Sequence, residues 1–259
     1  MHFLDELFSL KNKTAAVIGG GGVLAGAMAV GLAKAGADVA VLDLNPEGAQ
    51  RTAALVRSAG AKSTAVAVNA TSKDDLQRAL ETVCAELGTP TILINAPGIN
   101  SATPFFEIAE QEYDRIMAVN LKAVFLACQV FGEKMIGQGQ GGSIINISSA
   151  SSGPPLSKVF TYSVSKAGVN NLTQWLAREW APHRVRVNAL APGFFPAEQN
   201  RKILTEERVA DIKRHTPMGR FGDAEELIGA TVWLASDAAS SFVTGAVIRV
   251  DGGFTAMTI

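Results

Sequence analysis

Short β-branched apolar runs alternating with helical patterns, four consecutive glycines directly after the first run, and an acid closing the second predict one doubly wound, mostly parallel α/β sheet. It has seven strands and helices on both faces. The strands are expected at Thr14 to Ile18, Val39 to Asp43, Thr64 to Val68, Thr91 to Asn95, Ser143 to Ser148, Arg184 to Ala189 and Ala246 to Val250. The first leads into Gly19-Gly20-Gly21-Gly22 and a helix from about Val23 or Leu24. After the third, Leu76, Leu80, Val83 and Leu87 form an i, i+4, i+7, i+11 stripe, with Asp74, Asp75, Glu81 and Glu86 mostly off it, which makes an amphipathic helix. A long helix from Glu110 to Met135 contains Asn120, and the glycine-rich stretch from Gly137 to Gly142 turns into the fifth strand. Helices from Val159 to Ala181 and from Ala224 to Ala235 precede the sixth and seventh strands. Sheets of this kind bind ligands at the carboxyl ends of their strands.

Composition limits the function classes. Of 259 residues, 47% are apolar, 18% are charged and 25 are glycine, which fits one compact catalytic domain over residues 1–259. The formal charge is −1 and the lysines and arginines are scattered, so a nucleic-acid partner is disfavoured. Cys84 and Cys128 show neither metal-ligand nor redox spacing, and no metal is expected. Cys128 shares helical spacing with Val124, Phe131 and Met135 and reads as a small core residue. His2, His183 and His215 read as surface or packing residues. The start, Met1 to Glu6, has early acids and no basic region before an apolar stretch, so a cytoplasmic location is expected. Thr14 to Ala33 carries no charge and is long enough for a membrane span. Four glycines would each cost a helix interior about 1 kcal/mol, so a strand, a loop and a helix are expected, with no membrane.

Tyr162 and Lys166 stand four apart in Tyr162-Ser163-Val164-Ser165-Lys166, which stacks a phenol and an ammonium on one helix face. A phenol titrates near ~10 in water and exchanges protons slowly at neutral pH unless the phenolate is stabilised. The Lys166 charge is expected to pull the Tyr162 pKa toward the working pH, as a general acid or base requires. Ser149 closes the apolar run thirteen residues upstream of Tyr162.

The glycine loop lets backbone N–H groups approach a phosphate, and the helix start behind it adds partial positive charge. A dinucleotide is the expected guest. Asp43 ends the second strand, where an acid accepts hydrogen bonds from the adenosine ribose hydroxyls. A 2′-phosphate there would meet a repulsion of about 4 kcal/mol for unit charges near 4 Å at an effective dielectric of 20. Leu44 and Asn45 provide no cation, so NAD is expected over NADP; the competing role for Asp43 is capping the helix that begins near Pro46.

With these residues in place, the chain resembles the short-chain dehydrogenase/reductase family over essentially its whole length. Further matches are Asn95-Ala96-Pro97-Gly98, Val119-Asn120, Ile147-Ser148-Ser149, Asn188-Ala189-Leu190-Ala191-Pro192-Gly193 and Val250-Asp251-Gly252-Gly253. The resemblance implies a Rossmann-like fold in which Tyr162 is the catalytic acid/base and Ser149 polarises the carbonyl. Lys166 would lower the Tyr162 pKa while bonding the nicotinamide ribose, and Asn120 would hold a water linking Lys166 to solvent. The implied cofactor contacts are Gly19, Gly22, Val23, Leu24, Asp43, Asn69, Ala70, Asn95, Ala96, Tyr162, Lys166, Pro192, Gly193 and Phe195. A homotetramer is also implied, built from the two long helices and the last strand with its tail, Phe254 to Ile259.

The departures bear on the cofactor. Ile18 stands where the family has a threonine, and Val23 and Ala25 fall where its second and third glycines would be. Either Gly22 or Gly26 takes over, or the pyrophosphate sits farther out. Ala96-Pro97 replaces an Asn-Ala pair, and a link between this change and Ile18 is expected. Asn69 replaces an aspartate near the adenine, and Ala197 a threonine near the carboxamide.

The loop from Phe194-Phe195-Pro196 to Arg201-Lys202 is polar and basic, unlike the cover of a sterol or acyl pocket. Arg201 could grip a carboxylate through paired bonds while Gln199 and Asn200 read hydroxyls. Ser149, Ser151 and Tyr162 complete the expected substrate set. The loops at Gly19 to Met28, Gly193 to Arg201 and His215 to Gly222 resemble those of the fructuronate reductase (mannonate oxidoreductase) branch, which implies a sugar-acid substrate. Arg220 in the last of these reads as structural. The alternatives are a 3-oxoacyl or general ketone or polyol reductase, and a nucleotide-binding sensor without turnover.

Overall fold

The computed structural model describes residues 3–196 and 205–257. The strands are β1 Thr14–Ile18, β2 Asp38–Asp43, β3 Ser63–Ala67, β4 Ile92–Asn95, β5 Gly142–Ile147, β6 Val185–Pro192 and β7 Val247–Val250. All pair in parallel, in the order β3-β2-β1-β4-β5-β6-β7. The order reverses between β1 and β4, which opens a crevice at their carboxyl ends. β6 runs three residues past its expected end because Leu190, Ala191 and Pro192 stay buried against β5 and β7.

The helices are α1 Phe3–Phe8, α2 Val23–Lys34, α3 Pro46–Ser58, α4 Lys73–Leu87, α5 Glu110–Met117, α6 Ala123–Gly137, α7 Phe160–Trp180, α8 Glu206–His215, α9 Ile228–Ala235 and α10 Asp237–Ser240. Side-chain oxygens cap α3, α4, α8 and α10. Asn45 caps α3 by accepting from Glu47 N at 3.0 Å and Gly48 N at 3.3 Å, and Ser72 caps α4 by accepting from Asp75 N.

Alternate strand residues face opposite layers. Ala15, Val17, Val39, Val41, Ile92 and Ile94 pack with α2, α3 and α9 on one face. Ala16, Ile18, Ala40, Leu42 and Leu93 pack with α4, α6 and α7 on the other. Cys128 lies there with Val124, Phe131 and Met135, and burial pushes its thiol up to about 12. The uncharged stretch from Thr14 resolves into β1, a turn and α2.

The long helix expected from Glu110 is broken in the middle. A π turn over Ala118–Lys122 separates α5 from α6 and carries the fully buried Asn120. Together these segments are long and apolar enough to cross a membrane, but more than half of the most apolar window is buried inside the protein.

Candidate active site

The glycine turn is built around a close approach of β1 to β4. Gly19 has φ of +77°, and a Cβ there would lie 2.8 Å from the Ala96 carbonyl oxygen. Glycine is therefore required by both conformation and space. Gly22 is different. It is the N-cap of α2 at φ −77°, with no side-chain cap, and a Cβ would meet only Gly19 O at 3.3 Å. Nothing inside the protein demands glycine at this position. The open space in front of the uncapped helix N–H groups leaves room for a phosphate at Gly22. Val23 opens the helix with its side chain largely in solvent, while Leu24 packs partly and Ala25 fully into the core.

Asp43 braces this turn. Its carboxylate accepts from Gly21 N at 2.9 Å and from Asn45 N at 2.8 Å, while the capping role belongs to Asn45. Arg51 is a cation the sequence reading missed: its Nη2 reaches Gly21 O at 3.5 Å. The available signal was spacing, because Arg51 lies three residues after Gly48, on the helix face that meets Gly21. Asn69 follows β3 near Asp43, whose carbonyl accepts from Val68 N. Its Oδ1 accepts from Thr71 N and Thr71 Oγ1, which leaves its amide nitrogen as a donor. Ala70 and Ala96 are half-buried nearby.

Asn95 is corrected as a cofactor contact. It is fully buried, and its Nδ2 donates to Asn146 Oδ1 at 2.9 Å and to Cys128 Sγ at 3.4 Å. It ties β4 to β5 and α6 beneath the crevice. Ile18 packs on the α4 and α6 face and Ala96 on the opposite one, so no side-chain tie joins Ile18 to the Ala96-Pro97 turn. Only the backbone connects them, through Ala96 N donating to Ile18 O at 3.0 Å. Replacing Ile18 by threonine is expected to leave NAD binding no tighter by calorimetry. It should lower stability in urea melts by about 1–3 kcal/mol, because a buried hydroxyl gains no designed partner. A clear gain in affinity would overturn this.

Tyr162, Lys166, Asn120 and Ser149 converge from separate elements. α7 presents Tyr162 half-buried, with Lys166 one turn on. Lys166 is 3% exposed; its Nζ donates to Ile147 O at 2.7 Å and lies 5.7 Å from the Tyr162 ring centroid. A Cβ on Gly98 would lie 3.6 Å from Lys166 Nζ and 3.8 Å from Asn120 Oδ1, which places all three at one point. Asn120 is locked there by Ile99 N and Ile99 O and by donation to Ser165 Oγ at 3.0 Å. Ser149, after β5, accepts from Ser151 N at 3.2 Å and Ser151 Oγ at 3.1 Å. Ser149 is in turn the hydrogen-bond partner of Tyr162.

Two expectations change here. Ser151 is 1% exposed and props Ser149 from beneath, so it is a positioning residue and not a substrate contact. Burial pushes the Tyr162 hydroxyl above its ordinary value, with the Ser149 bond only opposing it. Here burial outweighs the pull of the neighbouring Lys166 ammonium. Burial also lowers Lys166 itself, to about 8.

At the end of β6, Pro192 is buried and Gly193 packs against Asp251. Phe195 lies on Gly222, and Phe194 stacks on Phe254 with ring centroids 5.1 Å apart. Arg220 pairs with Glu226 through two 2.7 Å bonds, a structural clamp at the helix start. Ala197, Gln199, Asn200 and Arg201 lie outside the described residues, as does His2.

The profile of the family described as Enoyl-(Acyl carrier protein) reductase matches residues 22–255. The uncharacterized oxidoreductase UxuB of Bacillus subtilis (strain 168) is 38% identical over 269 residues, covering 96% of each chain. The chain belongs to the short-chain dehydrogenase/reductase family. As a member it is an NAD(P)-dependent oxidoreductase of CH–OH groups. Among solved structures of this family, one from Haemophilus influenza, provisionally assigned as a D-mannonate oxidoreductase and holding NAD, is 36% identical with a TM-score of 0.93. It covers 98% of this chain and 99% of its own. A gluconate 5-dehydrogenase from Burkholderia cenocepacia J2315, in complex with NADP and tartrate, is 34% identical with a TM-score of 0.93, covering 99% and 100%. The chain thus falls in the branch of the family whose members are named for sugar acids.

Proposed function

We propose that this short-chain dehydrogenase/reductase interconverts a secondary alcohol and a ketone on a sugar acid of the fructuronate/mannonate kind, with NAD as cofactor. The observation that carries the acid/base assignment is the convergence of Tyr162, Ser149 and Lys166 from β5 and α7. Tyr162 takes the hydroxyl proton of the alcohol during oxidation and returns it to the carbonyl oxygen during reduction. Ser149 already accepts two bonds from Ser151, so its own O–H is free to donate a hydrogen bond to the substrate oxygen and polarise the carbonyl while Tyr162 transfers the proton. Lys166 holds positive charge beside the phenolate as it forms, and Asn120 positions that end of the site through Ile99. The dinucleotide, when bound, supplies the hydride acceptor or donor; Gly22, the α2 start, Asp43 and Asn69 would hold it.

Support for NAD comes from the repulsion between Asp43 and a 2′-phosphate. Arg51 at Gly21 is the one nearby feature that favours NADP instead. Support for a sugar acid comes from the names of the relatives and from the polar, basic segment containing Gln199, Asn200 and Arg201, assigned here to hydroxyl and carboxylate recognition. The competing reading is a 3-oxoacyl or general ketone reductase. A panel of sugar acids, neutral polyols and simple ketones is to be followed at the reduced-nicotinamide absorbance with each cofactor. Activity on sugar acids with faster initial rates on NAD is expected. Activity confined to uncharged substrates excludes the sugar-acid reading, and faster rates with NADP exclude the cofactor assignment.

A homotetramer is part of the same proposal. Phe125 and Trp175 are 43% and 57% exposed, and with Met117, Leu121 and Leu172 they border an apolar cleft of about 750 Å³ between the π turn, α6 and α7. Such a face is suited to a second copy.

A further inference from the structure

We infer that Arg208 is a specificity-determining cation that meets the carboxylate of an anionic substrate; this rests on the sugar-acid reading above. A cavity of about 520 Å³ opens between the segment Pro155 to Ser157 and α8. The first wall belongs to the stretch joining Ser149 to Tyr162, and Phe194, two residues after the buried Pro192 that ends β6, lines the cavity as well. The space is therefore walled by the segments that follow β5 and β6. Its remaining lining is largely apolar, with Ile212, Phe254 and Met257.

The charges within it are unequal. Arg214 is paired with Asp211 one turn before it on α8, and the His215 ring lies against Phe254 with centroids 4.6 Å apart. Arg208 has no carboxylate partner among the described residues. Its Nη1 instead reaches across the cavity to Ser157 Oγ at 3.3 Å, a neutral contact of near-maximal length. A half-buried guanidinium in apolar surroundings with only a hydroxyl to satisfy it is an incomplete arrangement. A carboxylate would complete it, accepting two bonds from the guanidinium fork and one from the Ser157 hydroxyl.

The test compares steady-state kinetics on a sugar acid and on a neutral polyol for the wild type, Arg208→Gln, Arg208→Lys and Arg201→Gln. Arg208→Gln is expected to raise KM for the sugar acid by about 10- to 100-fold, with kcat within a few-fold and the polyol unaffected. Arg208→Lys should fall between, because a point charge remains without the fork. Thermal melting and NADH binding establish that each variant is folded, and if Arg208→Gln does not fold, Arg208→Lys decides by its sugar-acid KM alone. Equal effects on both substrates, or a silent Arg208→Gln with the whole effect in Arg201→Gln, would overturn the assignment. A wild type that turns over only uncharged substrates removes the sugar-acid reading and Arg208 together, whereas sugar-acid turnover with a silent Arg208 removes Arg208 alone.

Discussion

Replacing Tyr162 by phenylalanine is expected to lower turnover by about 10²- to 10⁴-fold, the usual contribution of a positioned general acid or base. Dinucleotide affinity should change little. The substitution removes one oxygen from a half-buried ring and leaves the ring's packing in place, so a loss of activity cannot be blamed on the fold. The direction of the pH dependence follows from burial. Because the Tyr162 hydroxyl is pushed above its ordinary value, it keeps its proton at neutral pH. Reduction, which needs the proton, should therefore be sustained through neutrality, and oxidation, which needs the phenolate, should climb as pH rises. Measured kcat in both directions, with calorimetric NADH binding, checks the prediction. Intact turnover in Tyr162→Phe would remove the acid/base assignment.

Much of this site was legible because it depends on spacing along single elements. Tyr162 and Lys166 are four apart on a helix, and Asp43 closes a strand beside a glycine turn; neither relation needs tertiary information. The alternation of apolar runs likewise placed each strand within a few residues. What escaped depends on which neighbours come together. Asn95 and Ser151 carry polar side chains next to motif positions, yet both point beneath the site into hydrogen bonds that only the packed sheet creates. Arg51 meets the glycine turn through the contact of Gly48 with Gly21. The π turn at Asn120 is invisible to periodicity because it adds one residue per turn without changing composition. The Tyr162 direction escaped for a related reason: a sequence shows that a lysine is near, but not that the phenol is buried away from water. Proximity and desolvation act in opposite directions here, and only the second depends on the whole fold.

Replacing Lys166 by methionine should cost about 100-fold in turnover. Lys166 Nζ lies 5.7 Å from the Tyr162 ring centroid, and a unit charge at about that range with an effective dielectric of 20 contributes about 3 kcal/mol, or about two pKa units of phenolate population. Methionine keeps the length of the stem and removes that charge. The same substitution carries a second signature that a loss of packing would not produce. Lys166 titrates near about 8 in the folded protein against an ordinary 10.5. Between those values the unfolded chain holds a proton that the native state has released, so stability rises with pH across the window. Below about 8 both states are protonated and the full penalty of burying the ammonium is present; above 10.5 it is gone. The relief amounts to as much as about 3 kcal/mol. Wild-type stability in urea should therefore climb from pH 8 to 10 relative to Lys166→Met. The variant should show no such rise, apart from a constant cost of about 1–3 kcal/mol for leaving the Ile147 carbonyl without its donor. Parallel curves for the two proteins would mean that Lys166 is not titrating in this range. The charge it brings to Tyr162 would then have to be held by a contact other than the 2.7 Å bond to Ile147.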